Sequence, residues 1–406
     1  MEISESLAGI CLPAREGGAA YSGALLLVKV QRIPVGYAFL SPEELDADSI
    51  AEQVWRQLSA GINARRSQAG LPPADSLPVA GMPMPTTARG AAGRPMVSVV
   101  MCTRDRPESA ITALRNLVAL RYEPFEVIVV DNAPSTDATR EAVRAEFGGN
   151  PLVRYVAEPR PGLSCARNRG AEEAAADIVA FTDDDVEVDP WWIDGIARGF
   201  AEAPGVACVT GLIATAQLEN ESQLYFHLRE GWGTECERRL FDLAEHRDDS
   251  PLYPYSAGIF GAGANFAISR TVLKELGGFD EALGAGTRSG GGEDLDMFMR
   301  VILSGHSLVY EPSAIVWHYH RTDLADLEKQ MRAYGSGLTA ALVAIMMKYR
   351  RARIEIPLKA VRGALRILQL NDRVKDNPSL PAGLMRREII GMLAGPGLYL
   401  MTRRKG

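Results

Sequence analysis

Ile178-Val179-Ala180-Phe181-Thr182 runs directly into Asp183-Asp184-Asp185. Five apolar or β-branched residues suit a strand buried on both faces. The three carboxylates that follow repel one another, which costs free energy unless a cation resolves it. Outward from this point the chain keeps one rhythm. Strands are predicted over 97–102, 125–131 and 152–157, and helices over 108–120, 136–147 and 163–176. Strands alternating with helices of this length predict a mostly parallel sheet covered on both faces. Ligands of such sheets bind beyond the carboxyl ends of the strands. That rule gathers Thr103-Arg104-Asp105-Arg106, Asp131-Asn132 and Asp183-Asp184-Asp185 on one edge.

Each group has a chemical and a plain reading. The triple acid suits magnesium or manganese, hard ions that take carboxylate oxygens and keep positions open for a diphosphate. It also suits a helix start before Asp189-Pro190-Trp191. Asp131 can accept a hydrogen bond from a base or ribose, or Asp131-Asn132-Ala133-Pro134 is simply a turn. Arg167 lies early in a helix beneath the carboxylate edge, where it can face a phosphate or base or sit on the surface. In Gly291-Gly292-Glu293-Asp294-Leu295-Asp296, the glycines allow close backbone approach. Glu293 or Asp294 can then take a proton from an acceptor hydroxyl, or both acids begin the helix expected over 295–303. Trp317-His318-Tyr319-His320 follows a strand-like run and offers an imidazole metal ligand or a structural histidine. Neither a Gly-x-x-x-x-Gly-Lys phosphate loop nor a serine nucleophile elbow is present.

Composition bounds the setting. The 406 residues are 47% hydrophobic and 23% charged with net charge −7, which argues against a nucleic-acid binder. Residues 321–406 hold 17 Lys+Arg against 7 Asp+Glu, a net of +10, leaving −17 for the first 320. A basic tail on an acidic body points to peripheral membrane contact, or to a solvated helical region. Two apolar stretches, 337–347 and 389–401, are flanked by Lys and Arg and fall short of the roughly 18 residues that span a bilayer. They read as core helices or as interfacial segments. The five scattered cysteines suggest reduced thiols, and Met1-Glu2-Ile3-Ser4-Glu5 lacks the form of a secretory signal. The expected setting is the cytoplasm, either free or at the inner face of the membrane. The expected organisation is a small α+β accessory domain over 1–66, a Pro/Gly/Ala-rich linker over 67–95, a catalytic domain over 96–320 and a basic helical extension over 321–406.

The stretch from Val97 to about His320 resembles glycosyltransferase family 2, inverting enzymes of GT-A fold. The resemblance is carried by 97–106, Glu126-Val127-Ile128-Val129-Val130-Asp131-Asn132, 162–168, Thr182-Asp183-Asp184-Asp185, Gly263-Ala264-Asn265-Phe266 and Gly292-Glu293-Asp294-Leu295-Asp296, in that order. It implies an α/β, Rossmann-like, three-layer α/β/α fold. It implies that Thr103, Arg104 and Asp131 line the base pocket, that Arg167 holds the nucleotide and that Asp184 approaches the ribose. Arg106, Asn132 and Asp183 complete the implied nucleotide-sugar set. Asp185 and His318 would bind Mn2+ or Mg2+, and Asp294 would be the general base with Glu293 supporting it or contacting the acceptor. The implied donor is a UDP-, dTDP- or GDP-sugar, and the acceptor a glycan, a lipid-linked saccharide or a small molecule. A nucleotidyltransferase or sugar-nucleotide pyrophosphorylase shares the sheet, but it should carry a Gly-rich basic loop after the first strand. A non-catalytic nucleotide-sugar-binding module would have no need of both Asp185 and Asp294.

Overall fold

The computed structural model describes residues 1–7, 21–85, 93–229, 233–359 and 383–404. Cys11, Lys405 and the 86–92 part of the expected linker lie outside the described residues. The chain divides into two compact units, Met1–Gly93 with Thr234–Glu237, and Arg94–Gly233 with Arg238–Gly406.

In the first unit, β1 (Ala24–Val30) and β2 (Ile33–Leu40) form an antiparallel hairpin against α1 (Ala47–Gln68). The sequence Ser41-Pro42-Glu43-Glu44 has the form of a helix start, but the helix begins six residues after Ser41, at Ala47. The side chain of Asp46 caps it by accepting from the Asp48 and Ser49 amides, while Glu44 folds back onto Ser41 in a separate turn. Leu77 and Met82 are buried with Ile3, Val28, Leu40 and Val54. Part of the stretch read as linker therefore belongs to this core: Pro and Gly remove periodicity without removing apolar side chains that can pack.

The second unit is built on nine strands: β3 (Val97–Thr103), β4 (Phe125–Asn132), β5 (Val153–Glu158), β6 (Ile178–Asp183), β7 (Val186–Val188), β8 (Val206–Thr215), β9 (Arg239–Phe241), β10 (Phe266–Ser269) and β11 (Ser307–His318). Their order is β5-β4-β3-β6-β10-β8-β11-β7, with β9 on β11. The first four are parallel, and β8 and β11 are parallel to each other. Antiparallel β10 joins the two sets. The helices are α2 (Pro107–Val118), α3 (Ala138–Phe147), α4 (Leu163–Glu173), α5 (Trp192–Phe200), α6 (Glu221–Arg229), α7 (Arg270–Glu275), α8 (Glu293–Leu303), α9 (Leu324–Lys348) and α10 (Leu384–Arg403).

Alternation along the strands creates two cores. Val97, Val99, Met101, Val127 and Val129 face Leu114, Leu117, Ile193 and Ile196. Val100, Ile128, Val130, Phe181 and Phe266 face the layer of Ala166, Phe298 and Ile302. Ala340, Ala341, Ile345 and Tyr399 belong to this second core. The described helices after residue 321 thus share a core with the sheet, while Leu327, Met331 and Leu384 form a separate small cluster with Tyr225 and Phe226 of α6. Helix α4 stops short of the expected residue 176 because the Ala175 and Ala176 amides turn to Glu126 and Ser98.

Asn265 joins the two halves of the sheet. It is fully buried, its amide donates to the carbonyls of Leu212 and Ala314, and it accepts from the Trp192 indole at 2.8 Å. These contacts satisfy backbone groups where the β8–β11 register shifts between Glu311 and Ile315.

Candidate active site

Strand register decides which groups meet. Thr103 sits opposite Asp131, and Cys102 opposite Asp183, so the ends of β3, β4 and β6 share one edge. Asp184 turns beneath Thr103, accepting from its hydroxyl at 2.6 Å and from Arg106 at 3.1 Å. Asp185 faces the other way, 3.7 Å from His318 Nε2, 3.5 Å from Arg321 and 3.8 Å from Arg106. Antiparallel pairing of β7 with β11 causes this meeting, because it sets His318 opposite Val186.

Arg167 links the triple acid to the second acidic group. Helix α4 buries it completely, 2.8 Å from Glu293 Oε1, 2.9 Å from the Gly263 carbonyl and 3.6 Å from Asp183. The rings of Phe181, Phe266 and Phe279 surround its guanidinium at 5.4–6.0 Å. Glu293 and Asp294 open α8 after Gly292, whose φ is +92°. A Cβ there would lie 2.2 Å from the Gly337 carbonyl, so the approach requires glycine. Glu293 is buried against Arg167, whereas the partly buried Asp294 places Oδ2 3.0 Å from where a side chain on Gly263 would begin.

Residues 98–277 match the family described as Glycosyl transferase family 2. The chain carries a glycosyltransferase family 2 domain. It is 28% identical over 271 residues to the pre-mycofactocin glycosyltransferase of Mycobacterium tuberculosis, covering 66% of this chain and 51% of that protein. It is 27% identical over 228 residues to the glucosyl-dolichyl phosphate glucuronosyltransferase of Haloferax volcanii, covering 55% of this chain and 68% of that protein. The chain thus spans about half the length of the first of these relatives. A mannosyltransferase from Pyrobaculum calidifontis, solved with GDP-Man and Mn2+, superposes with TM-score 0.50 at 18% identity, over 75% of this chain and 88% of that one. That likeness shows the GT-A fold.

The electrostatics of the site follow from burial. Desolvation raises the pKa of Asp183, opposed by Arg167 and reinforced by Asp185 and Asp184. Desolvation also raises Asp184, against its bonds to Thr103 and Arg106, and Glu293, where Asp294 adds to it and Arg167 opposes. Burial lowers the pKa of His318, against the pull of Asp185, which favours the neutral imidazole that can ligate. Its Nδ1 lies 2.9 Å from His320 Nδ1, which leaves Nε2 toward Asp185. His320 is pushed down to about 3 by burial and by His318 and His227, and its Nε2 meets Thr215 at 3.1 Å.

Among the described residues, no three His, Cys, Asp or Glu groups form a ready metal cage. A carboxylate and an imidazole 3.7 Å apart would suit one divalent ion that keeps further positions open. The donor set fits Mn2+ or Mg2+.

At the tip of β4, Asp131 is fully buried; Tyr155 donates to Oδ2 at 2.9 Å, while Oδ1 is buried with no hydrogen-bond partner. Burial raises its pKa. Both ends of the Asn132 amide are taken, by the Arg160 carbonyl and the Gly162 amide, so Asn132 holds the turn into α4. Arg104 is half exposed and pairs with Asp105 at 3.8 Å, so the structure does not bring it to the acidic cluster with Arg106. Sequence reasoning missed Tyr155, Arg321 and the His320–Thr215–His227 chain. Only His320 left a signal, two residues beyond His318.

Proposed function

We propose that the chain transfers a glycosyl group, with inversion, from a nucleotide-diphosphate sugar to an acceptor hydroxyl. The observation that carries this reading is the Arg167 bridge, which sets a triple carboxylate and a Glu-Asp pair on two sides of one buried guanidinium. The names of the matched relatives support sugar transfer. Asp131, with its unpartnered Oδ1, accepts an N–H from the base, as uracil, thymine or guanine would offer. Asp184 accepts from the ribose. Asp185 and His318 hold Mn2+ or Mg2+, which when bound neutralises charge on the departing diphosphate.

Asp294 takes the acceptor hydroxyl proton. The freed oxygen forms a bond to the anomeric carbon as the bond from that carbon to the diphosphate oxygen breaks, and the nucleoside diphosphate leaves with the electron pair. Glu293 stays on Arg167 and positions Asp294. The acceptor is a glycan, a lipid-linked saccharide or a small molecule. Four described cysteines are free, three of them buried, which supports a reducing cytoplasmic setting.

The test is a thermal-shift screen of UDP-, dTDP- and GDP-sugars with and without manganese, followed by donor turnover. A metal-dependent shift with one nucleotide class is expected. Asp294→Asn should lower turnover about 10²–10⁴-fold while the shift persists. No shift with any donor, or unchanged turnover in Asp294→Asn, would refute the reading.

A further inference from the structure

Helix α10 carries apolar residues around its whole circumference, but among the described residues only one side has a partner. Leu384, Glu388, Gly391, Gly395 and Tyr399 are buried on one side. There the helix approaches α9 so closely that a Cβ on Gly391 would meet the Arg332 carbonyl, and one on Gly395 the Ser336 carbonyl. Thr339 donates to the Met392 carbonyl at 2.9 Å, replacing the amide that Pro396 lacks. The opposite side carries Ile389, Ile390, Leu393, Leu400 and Met401, which are 37%, 38%, 79%, 41% and 55% exposed. At 100° per residue all five fall within an arc of about 120°. Exposed Arg386 and Arg404 lie on the midline of that arc, one at each end.

We propose that this face of α10 docks on an anionic lipid surface. An apolar stripe bracketed by two arginines, about 27 Å apart along the axis, lies in a membrane interface with the guanidinium groups reaching the headgroups. Among the described residues, no helix is long and apolar enough to cross a membrane, so the contact is peripheral. The charge distribution selects the partner. The face belongs to the +10 region of a chain whose first 320 residues carry −17, so an anionic surface attracts this part and repels the rest. A second copy is the poorer occupant. Two such stripes set against each other, parallel or antiparallel, bring arginines against arginines. The proposal stands independently of the transfer reaction, because its readout is binding.

The test is flotation of the full chain with phosphatidylcholine vesicles, with and without phosphatidylglycerol. Binding should require phosphatidylglycerol and weaken with salt. Leu393→Asp should weaken partition more than tenfold. Arg386→Gln with Arg404→Gln should weaken it about 25-fold, at roughly fivefold per residue. All three side chains are exposed, so the thermal midpoint should be unchanged. Leu393→Trp should blue-shift its emission on anionic vesicles. The proposal is overturned if the chain does not float, if Leu393→Asp floats as well as the parent, or if the Leu393→Trp shift tracks protein concentration without lipid.

Discussion

Replacing Arg167 by Met tests the electrostatic centre of the site. Methionine keeps most of the volume among Phe181, Phe266 and Phe279 and removes the charge. At an effective dielectric constant of about 20, the 2.8 Å contact with Glu293 corresponds to about 6 kcal/mol and the 3.6 Å contact with Asp183 to about 5 kcal/mol. The pKa of Glu293 is nonetheless raised, so desolvation already outweighs that attraction. Removing one partner of a buried pair then costs about 3–5 kcal/mol, a fall in midpoint of roughly 6–10 °C for a unit of this size. The sign of the pH dependence follows. Without Arg167 the folded-state pKa values of Glu293 and Asp183 rise further above their unfolded values near 4. The folded state then holds more protons than the unfolded one, and stability falls as pH rises from about 4 toward neutrality, by up to about 1.4 kcal/mol per unit per group. Thermal unfolding of the full chain at pH 5 and pH 8 reads this directly. Glu293→Gln in the Arg167→Met background should recover part of the loss at pH 8. A small drop, equal at both pH values and unrelieved by the second change, would refute the reasoning.

Further outcomes follow from other contacts. Asp183 and Asp184 have raised folded pKa values, so the stability of their protonated forms is lost as pH rises above the carboxylate range. The manganese-induced thermal shift should therefore be larger at pH 7.5 than at pH 5, and Asp185→Asn or His318→Ala should abolish most of it. Asn265→Ala strands the Trp192 indole and two carbonyls and should cost about 3 kcal/mol or more in denaturant melts, with turnover per folded molecule little changed. Thr339→Val should cost about 1 kcal/mol, and Pro396→Ala in that background should restore it by returning an amide to the Met392 carbonyl.

The sequence by itself carried the alternation of strands and helices from 97 to 183 and the polar groups at the strand ends. Both are local: a continuous apolar run in a buried strand, and the switch from apolar to acidic at Thr182-Asp183, are written in neighbouring residues. It also carried Asp185 and His318 as candidates, though not their meeting. That meeting depends on β7 pairing antiparallel with β11, a contact between segments more than 120 residues apart. The insertion of β10, the role of Asn265 and the burial of Arg167 are non-local in the same way. An arginine in a helix reads as a surface residue until three aromatic rings and two acids from distant segments surround it. Helix α10 shows the limit most plainly. An all-round apolar pattern cannot say which side is covered; only the glycine-lined approach to α9 divides its circumference into a buried face and an exposed one.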